Sequence, residues 1–308
     1  MSKIINLISG RSDMSNEVVS QSSEYRYFRS TISQKKIVVD QSNTSTAWTL
    51  YDTGPRDNDC PILFLPPVSG TADTFFRQLL HLKGKGYRAI SLEYPTYWTL
   101  EEFNQGFMRL LDHLGVRKVH VFGASLGGFL LQKFAEITNR RDPRIHSIIL
   151  CNSFADTTIF HHTDSAMLFW MMPSVLLKNI IMGNKSIDLI AKDKTIRSSI
   201  DFMNERLDSL SQQELASRLT LNCISSYVQP QKLQNIPITI LDVFDHCAIS
   251  ERVKQELYKM YPLAKRAHLK SGGNYPYISR SEEVNMHIVI HLRQFENTQF
   301  SAKPKLHP

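Results

Sequence analysis

Short apolar runs punctuate this chain at regular intervals, and the stretches between them carry apolar residues three and four positions apart. The first period is that of buried strands and the second that of helices packed on one face. Ile37-Val38-Val39 and Ala47–Tyr51 read as opening strands, followed by turn chemistry at Asp52-Thr53-Gly54-Pro55. Pro61–Leu65 is a buried strand ended by Pro66-Pro67, and Phe75–Leu82 a helix. Tyr87–Leu92 is a strand, and Leu100–Leu114 a helix with its apolar stripe at Phe103, Phe107, Leu110, Leu111 and Leu114. Val119–Phe122, Leu126–Ile137 and Ile145–Leu150 follow as strand, helix and strand.

The central strands are apolar on both faces, so they predict a mostly parallel sheet covered by helices on either side. From Phe154 to about Arg218 the alternation pauses and the pattern is helical throughout. Pro237–Asp242 and Arg266–Lys270 resume the sheet, and Glu282–Phe295 closes it with a helix. The reading is one α/β domain over residues 25–300, a helical cap inserted at about 154–218, and disordered tails at 1–24 and 301–308.

Within the cap, Ala166–Leu177 is rich in Met and aromatic residues but too short and interrupted for a membrane span. Pro173 is expected to separate two short helices there. The run reads either as a cap packed on the core or as a surface for a partner or membrane.

Composition changes this picture little. The 308 residues hold 36 Lys+Arg against 29 Asp+Glu, a formal charge of +7. The basic residues are scattered and form no block interleaved with aromatics, so no nucleic-acid partner is expected; weak attraction to acidic lipid or protein surfaces fits better. Cys60, Cys151, Cys223 and Cys247 make no CxxC pair or metal-ligand spacing. They suit a reducing compartment. No cofactor and no metal are expected, and Met1–Gln21 lacks the apolar core of a signal peptide.

The chemistry concentrates at Gly123-Ala124-Ser125-Leu126-Gly127. A Gly-x-Ser-x-Gly between an apolar strand and a helix is a nucleophile elbow, the hallmark of the α/β-hydrolase fold. Gly123 and Gly127 remove side chains that would collide with neighbouring elements, and the Leu126 N–H at the helix start is placed to face an oxyanion. The serine still needs a base, and the base a carboxylate, following in that fold in the order serine, acid, histidine. Asp245, where the Pro237–Leu241 strand gives way to its loop, is the candidate acid, with Asp242 and Asp156 as weaker alternatives.

The histidine is missing. The loop after the last strand reads Ser271-Gly272-Gly273-Asn274-Tyr275-Pro276, and Asn274 stands where the imidazole is expected. An amide does not titrate near neutral pH and cannot accept the serine proton. His120, His161, His162, His246, His268, His287 and His291 all read as structural or solvated, a swinging cap histidine being the remaining route to catalysis. The oxyanion side departs as well: Pro66-Pro67-Val68-Ser69-Gly70 replaces the usual His-Gly, proline has no N–H, and Val68 is the remaining donor.

The strings Leu65–Asp73, Gly123–Phe129, Asp201-Phe202-Met203, Glu214–Cys223, Asp242–Asp245, Arg266–Lys270 and Ser271–Asn274 resemble the maspardin family, from about Tyr27 to about Phe295. The resemblance implies a protein of the hydrolase fold without demonstrated hydrolase chemistry. It implies a cytoplasmic adaptor or regulatory protein, peripherally associated with endosomal and trans-Golgi membranes. The partners it implies are the cytoplasmic tail of a T-cell co-receptor, whose signalling it would restrain, and an aldehyde dehydrogenase-like protein. On that reading Ser125, Asp245 and Asn274 are vestigial. The alternative is a serine hydrolase of small esters or lipids that uses Ser125 with a non-standard base.

Overall fold

Strands with apolar side chains on both faces are stable only between two covering layers. The computed structural model, which describes residues 18–40, 47–139, 142–160, 166–182 and 193–304, has that arrangement. Its sheet contains β1 (Lys35–Val38), β2 (Ala47–Thr53), β3 (Ile62–Leu65), β4 (Ala89–Glu93), β5 (Val119–Ala124), β6 (Ile145–Cys151), β7 (Ile238–Val243) and β8 (Lys265–Leu269). The order is β1-β2-β4-β3-β5-β6-β7-β8, antiparallel at β1–β2 and β2–β4 and parallel beyond. Leu65 pairs with Gly123, Gly123 with Leu150, and Leu150 with Ile240. That register brings the C-terminal ends of β3, β5, β6 and β7 level, so the loops leaving them meet.

The helices are α1 (Ser23–Thr31), α2 (Phe76–Gly84), α3 (Leu100–His113), α4 (Leu126–Thr138), α5 (Ser174–Met182), α6 (Lys194–Ser209), α7 (Gln212–Cys223), α8 (Glu251–Met260), α9 (Pro276–Ser279) and α10 (Ser281–Arg293). On one face of the sheet α3, α4 and α8 bury Phe103, Phe107, Leu130, Phe134 and Leu257. On the other, α1, α2 and α10 bury Phe28, Phe76, Leu79, Ile288 and Leu292. Side-chain caps fix the starts of several helices: Thr99 with Glu102 at α3, Ser211 with Glu214 at α7, and Ser250 at α8.

The cap comprises α5, α6 and α7 and has its own small core of Phe169, Leu177, Leu207, Leu215 and Leu219. Pro173 separates the 3₁₀ turn Ala166–Met171 from α5, as expected. The run is packed on one side and exposed on the other. Phe169 and Leu177 pack inward, while Trp170, Met171, Val175, Leu176 and Ile180 form an exposed face. Among the described residues no helix is long and apolar enough to cross a membrane.

The structure also moves several expected boundaries. The cap's last helix runs on to Cys223 rather than ending near Arg218, because Leu219 and Leu221 are buried. Helices α1 and α8 were not marked by the sequence pattern. Residues 1–17 and 305–308 of the expected tails lie outside the described residues. Order begins before residue 25 because the Ser22 side chain caps α1, and it extends past 300 because Ala302 is buried and its carbonyl accepts from Arg88 N (3.0 Å).

Candidate functional site

Ser125 occupies the sharp corner between β5 and α4 with φ 49° and ψ −119°. That is a left-handed conformation an ordinary L-residue adopts at a cost. The corner is held by Ser125 N donating to Cys151 O (3.1 Å) and by Ser153 Oγ donating to the Ser125 carbonyl (2.8 Å). The glycines meet a packing demand. A Cβ on Gly127 would stand 2.4 Å from Leu65 O, and one on Gly123 2.4 Å from Gly128 Cα. Leu126 is the first residue of α4, so its N–H has no acceptor within the helix and faces outward at the positive end of the dipole.

Asp245 sits in the loop after β7, and its carboxylate is engaged by backbone N–H groups. It accepts N–H bonds from Gly272 (2.9 Å) and Gly273 (3.1 Å to each oxygen). Asn274 Oδ1 accepts from Ala248 N at 2.6 Å. From beneath, Asn152 Nδ2 donates to Gly273 O (2.9 Å) and reaches Asn274 O (3.5 Å). Asn152 has φ 42°, a conformation asparagine tolerates better than most residues. The loop in which such folds carry their base is thus pinned by its own backbone to Asp245 and Asn152. The two weaker acid candidates are occupied elsewhere. Asp242 accepts from Tyr258 Oη (2.7 Å), burial pushing its carboxyl up, and Asp156 accepts from Thr158 N (2.8 Å).

The oxyanion side is built from the loop after β3, and two cap arginines reach it. Arg218 of α7 is fully buried and donates through Nη1 to the carbonyls of Val68 (3.1 Å) and Gly70 (2.6 Å). Arg206 of α6 pairs with Asp73 (2.8 Å), and Tyr25 Oη also donates to Asp73. Val68 therefore presents its carbonyl to a cation in the cap. Sequence reasoning missed Arg218 and Asn152. An arginine on a cap helix looks solvated, and an asparagine after a strand looks like turn chemistry.

Among the described residues no imidazole hydrogen-bonds Ser125. His120 and His291 belong to a buried chain below the elbow. Ser147 Oγ lies 2.7 Å from His120 Nδ1 and 2.7 Å from His291 Nε2. His291 Nδ1 lies 2.7 Å from Thr239 Oγ1, and His120 Nε2 2.7 Å from Phe300 O. Because a carbonyl only accepts, His120 Nε2 carries the proton, and the rest follows: Ser147 donates to His120, His291 to Ser147, and Thr239 to His291. Burial holds both imidazoles neutral, pushing His120 down to about 4 and His291 to about 3. His268 stacks on Phe244 and bonds Tyr258. His246 is exposed beside Asp245, and His287 lies on α10. The cap pair His161-His162 lies outside the described residues.

A separate cavity of about 390 Å³ opens beside α3, lined by Asp40, Tyr97, Trp98, Glu102, Arg109 and Gln213 among others. None of its lining residues belongs to the elbow, the acid or the Gly272–Asn274 loop. Among the described residues no group of three His, Cys, Asp or Glu is arranged to hold a metal.

Residues 40–178 match the family model described as the alpha/beta hydrolase fold. The chain is 58% identical to maspardin of Homo sapiens over 281 residues, 91% of this chain and 90% of that protein. It is 57% identical to maspardin of Danio rerio over 286 residues, 93% and 91% of the two chains. Among solved structures, a carboxylesterase of Nitrososphaera gargenis superposes with TM-score 0.68 at 18% identity, covering 84% of this chain and 98% of that one. An esterase of Thermogutta terrifontis gives 0.67 at 18% identity, covering 85% and 98%. At such identities these two carry the fold alone.

Proposed function

Since the chain belongs to the maspardin family of the α/β-hydrolase fold, we propose that it is a non-catalytic adaptor or regulatory protein. One observation carries this reading: the acid and the base loop are bonded to each other without an imidazole. Asp245 spends its oxygens on Gly272 and Gly273 N–H, Asn274 bonds Ala248 N, and among the described residues no imidazole hydrogen-bonds Ser125. A serine hydroxyl without a base is a weak nucleophile. The partners, by the family resemblance, are cytoplasmic protein segments: the tail of a T-cell co-receptor, and an aldehyde dehydrogenase-like protein. Peripheral attachment to endosomal and trans-Golgi membranes is supported by the exposed cap face of Trp170, Met171, Val175, Leu176 and Ile180 together with the net positive charge.

A second reading, hydrolysis of small esters or lipids, is favoured by the intact strained elbow and the Leu126 N–H. A fluorophosphonate probe separates the two. On the adaptor reading Ser125 labels no faster than the background seen in Ser125→Ala, and a panel of esters turns over at the same rate in both proteins. Rapid labelling that disappears in Ser125→Ala establishes the hydrolase reading instead.

A further inference from the structure

One edge of the sheet is open. Strand β8 stands last in the order and, among the described residues, pairs only with β7. Phe244 N donates to Leu269 O (3.0 Å). Lys265, Ala267 and Leu269 therefore turn their backbone groups toward β7, and the N–H and C=O of Arg266 and His268 point outward. Among the described residues no other segment bonds to them from that side. The same alternation sets out a basic and aromatic row. Arg266 and His268 are exposed on one face and Lys270 continues the spacing. Arg266 lies over the ring of Tyr258, 4.6 Å from its centroid. Among the described residues none of Lys265, Arg266 and Lys270 has a carboxylate partner. The two most exposed large apolar side chains of the described residues stand at the ends of this edge: Leu263 (93%) just before β8, and Phe244 (72%) stacked on His268.

We propose that the outer edge of β8 takes up an extended acidic segment of a partner protein as an added strand. The inference rests on the adaptor reading above. The outward N–H and C=O groups of Arg266 and His268 supply the hydrogen bonds, and Leu263 and Phe244 the apolar contacts at the two ends. Charge sets the occupant. A second copy of this edge would bring Lys and Arg against Lys and Arg, and basic side chains on an edge are a common guard against such self-pairing. An acidic strand instead meets opposite charge across the pair. A lipid headgroup surface would use the cations but not the outward backbone groups, whose spacing matches another backbone.

The test titrates the full chain into a short, capped, fluorescently labelled peptide of alternating Glu and Val, read by anisotropy. The controls are its counterpart with Lys in place of Glu, and a Glu/Val copy with an N-methylated backbone. The acidic peptide should bind saturably and about tenfold or more tighter than either control, and slow hydrogen exchange at the Arg266 and His268 amides. Arg266→Glu combined with Lys270→Glu, both exposed positions, should weaken it by about tenfold or more. Equal affinity for the N-methylated copy, or unchanged affinity in the charge-reversed chain, overturns the assignment. So does concentration-dependent protection of those amides without peptide, which marks a second copy, or binding to phosphatidylserine vesicles with none to the peptide. Should the charge-reversed chain fail to fold, the N-methylated comparison and the exchange at Arg266 and His268 in the wild-type chain decide. Fluorophosphonate labelling of Ser125 is a separate readout: it decides the adaptor reading, and the peptide decides the edge.

Discussion

Replacing Asp245 by Ala should loosen the Gly272–Asn274 loop and leave chemistry untouched, the reverse of what loss of a triad acid does. The side chain receives two backbone donors, Gly272 N at 2.9 Å and Gly273 N at 3.1 Å. A hydrogen bond to a charged group contributes about 1.5–3 kcal/mol when buried. Asp245 is only partly buried, and water can replace it at part of the loop, so we take about 2 kcal/mol for the pair. That corresponds to roughly thirtyfold in the local opening equilibrium. Amide hydrogen exchange read at Gly272 and Gly273 is the direct assay, because it reports local opening separately from global unfolding. Both amides should exchange about thirtyfold faster in Asp245→Ala, with Asn152 still holding Gly273 O from below. Asp245→Asn should fall between, since an amide keeps one acceptor but turns a donor toward the second N–H. Exchange at Gly272 and Gly273 that is no faster in Asp245→Ala would refute the reasoning, as the carboxylate would then not be what holds the loop.

Asn274→His removes the bond to Ala248 N, costing about 1 kcal/mol, and offers Ser125 a base. If the imidazole displaces one glycine N–H from Asp245, fluorophosphonate labelling of Ser125 should rise by roughly 10²–10⁴-fold, the usual yield of a positioned base. A folded but equally inert variant places the obstacle at the Val68 loop instead. The buried histidines predict acid lability. Their folded pKa values, about 4 for His120 and about 3 for His291, lie below the ordinary unfolded value of about 6.5. Below that value the unfolded chain therefore binds protons that the folded chain refuses. Stability should fall as pH drops from about 6.5 toward 4, by at most about 1.4 kcal/mol per pH unit for each imidazole, and level off below their folded values. His146 (pushed down to about 4) adds to the same trend, and Lys118 and Lys265 are the cations that help hold these imidazoles neutral. Urea midpoints that stay flat across that window contradict the assignment.

The sheet was legible because its central strands are apolar on both faces, and the elbow because close packing against Leu65 and Gly128 admits only glycine at 127 and 123. Helices α1 and α8 were not. Helix α1 buries little besides Tyr25 and Phe28, and α8 buries Val253, Leu257 and Tyr258 among charged neighbours. Both are short and polar overall, so a one-sided stripe of two or three apolar residues is all that marks them. Asn274 was legible as a missing base, since residue type alone settles whether a side chain can titrate. What fills the gap was not, because Asp245 satisfies itself with backbone N–H groups, and every residue but proline has one. Arg218 was hidden for a related reason: its partners are two carbonyls 150 and 148 positions upstream, which leave no mark on side-chain patterning.

The chain of hydrogen bonds through Ser147 has a consequence for how the protein is made. His120 is in place once β5 has been synthesised, but the carbonyl that accepts its Nε2 proton belongs to Phe300, 180 residues later. His291 and Ala302, which complete the same region, arrive with the same late segment. A growing chain on the ribosome can form β3, β5 and the elbow early, yet its His120 imidazole stays half-paired until α10 and the turns behind it emerge. The centre of the sheet is thus completed only when Phe300 and Ala302 arrive, and a nascent chain with those residues still inside the ribosome should be far more open to proteases and chaperones than one in which they have emerged.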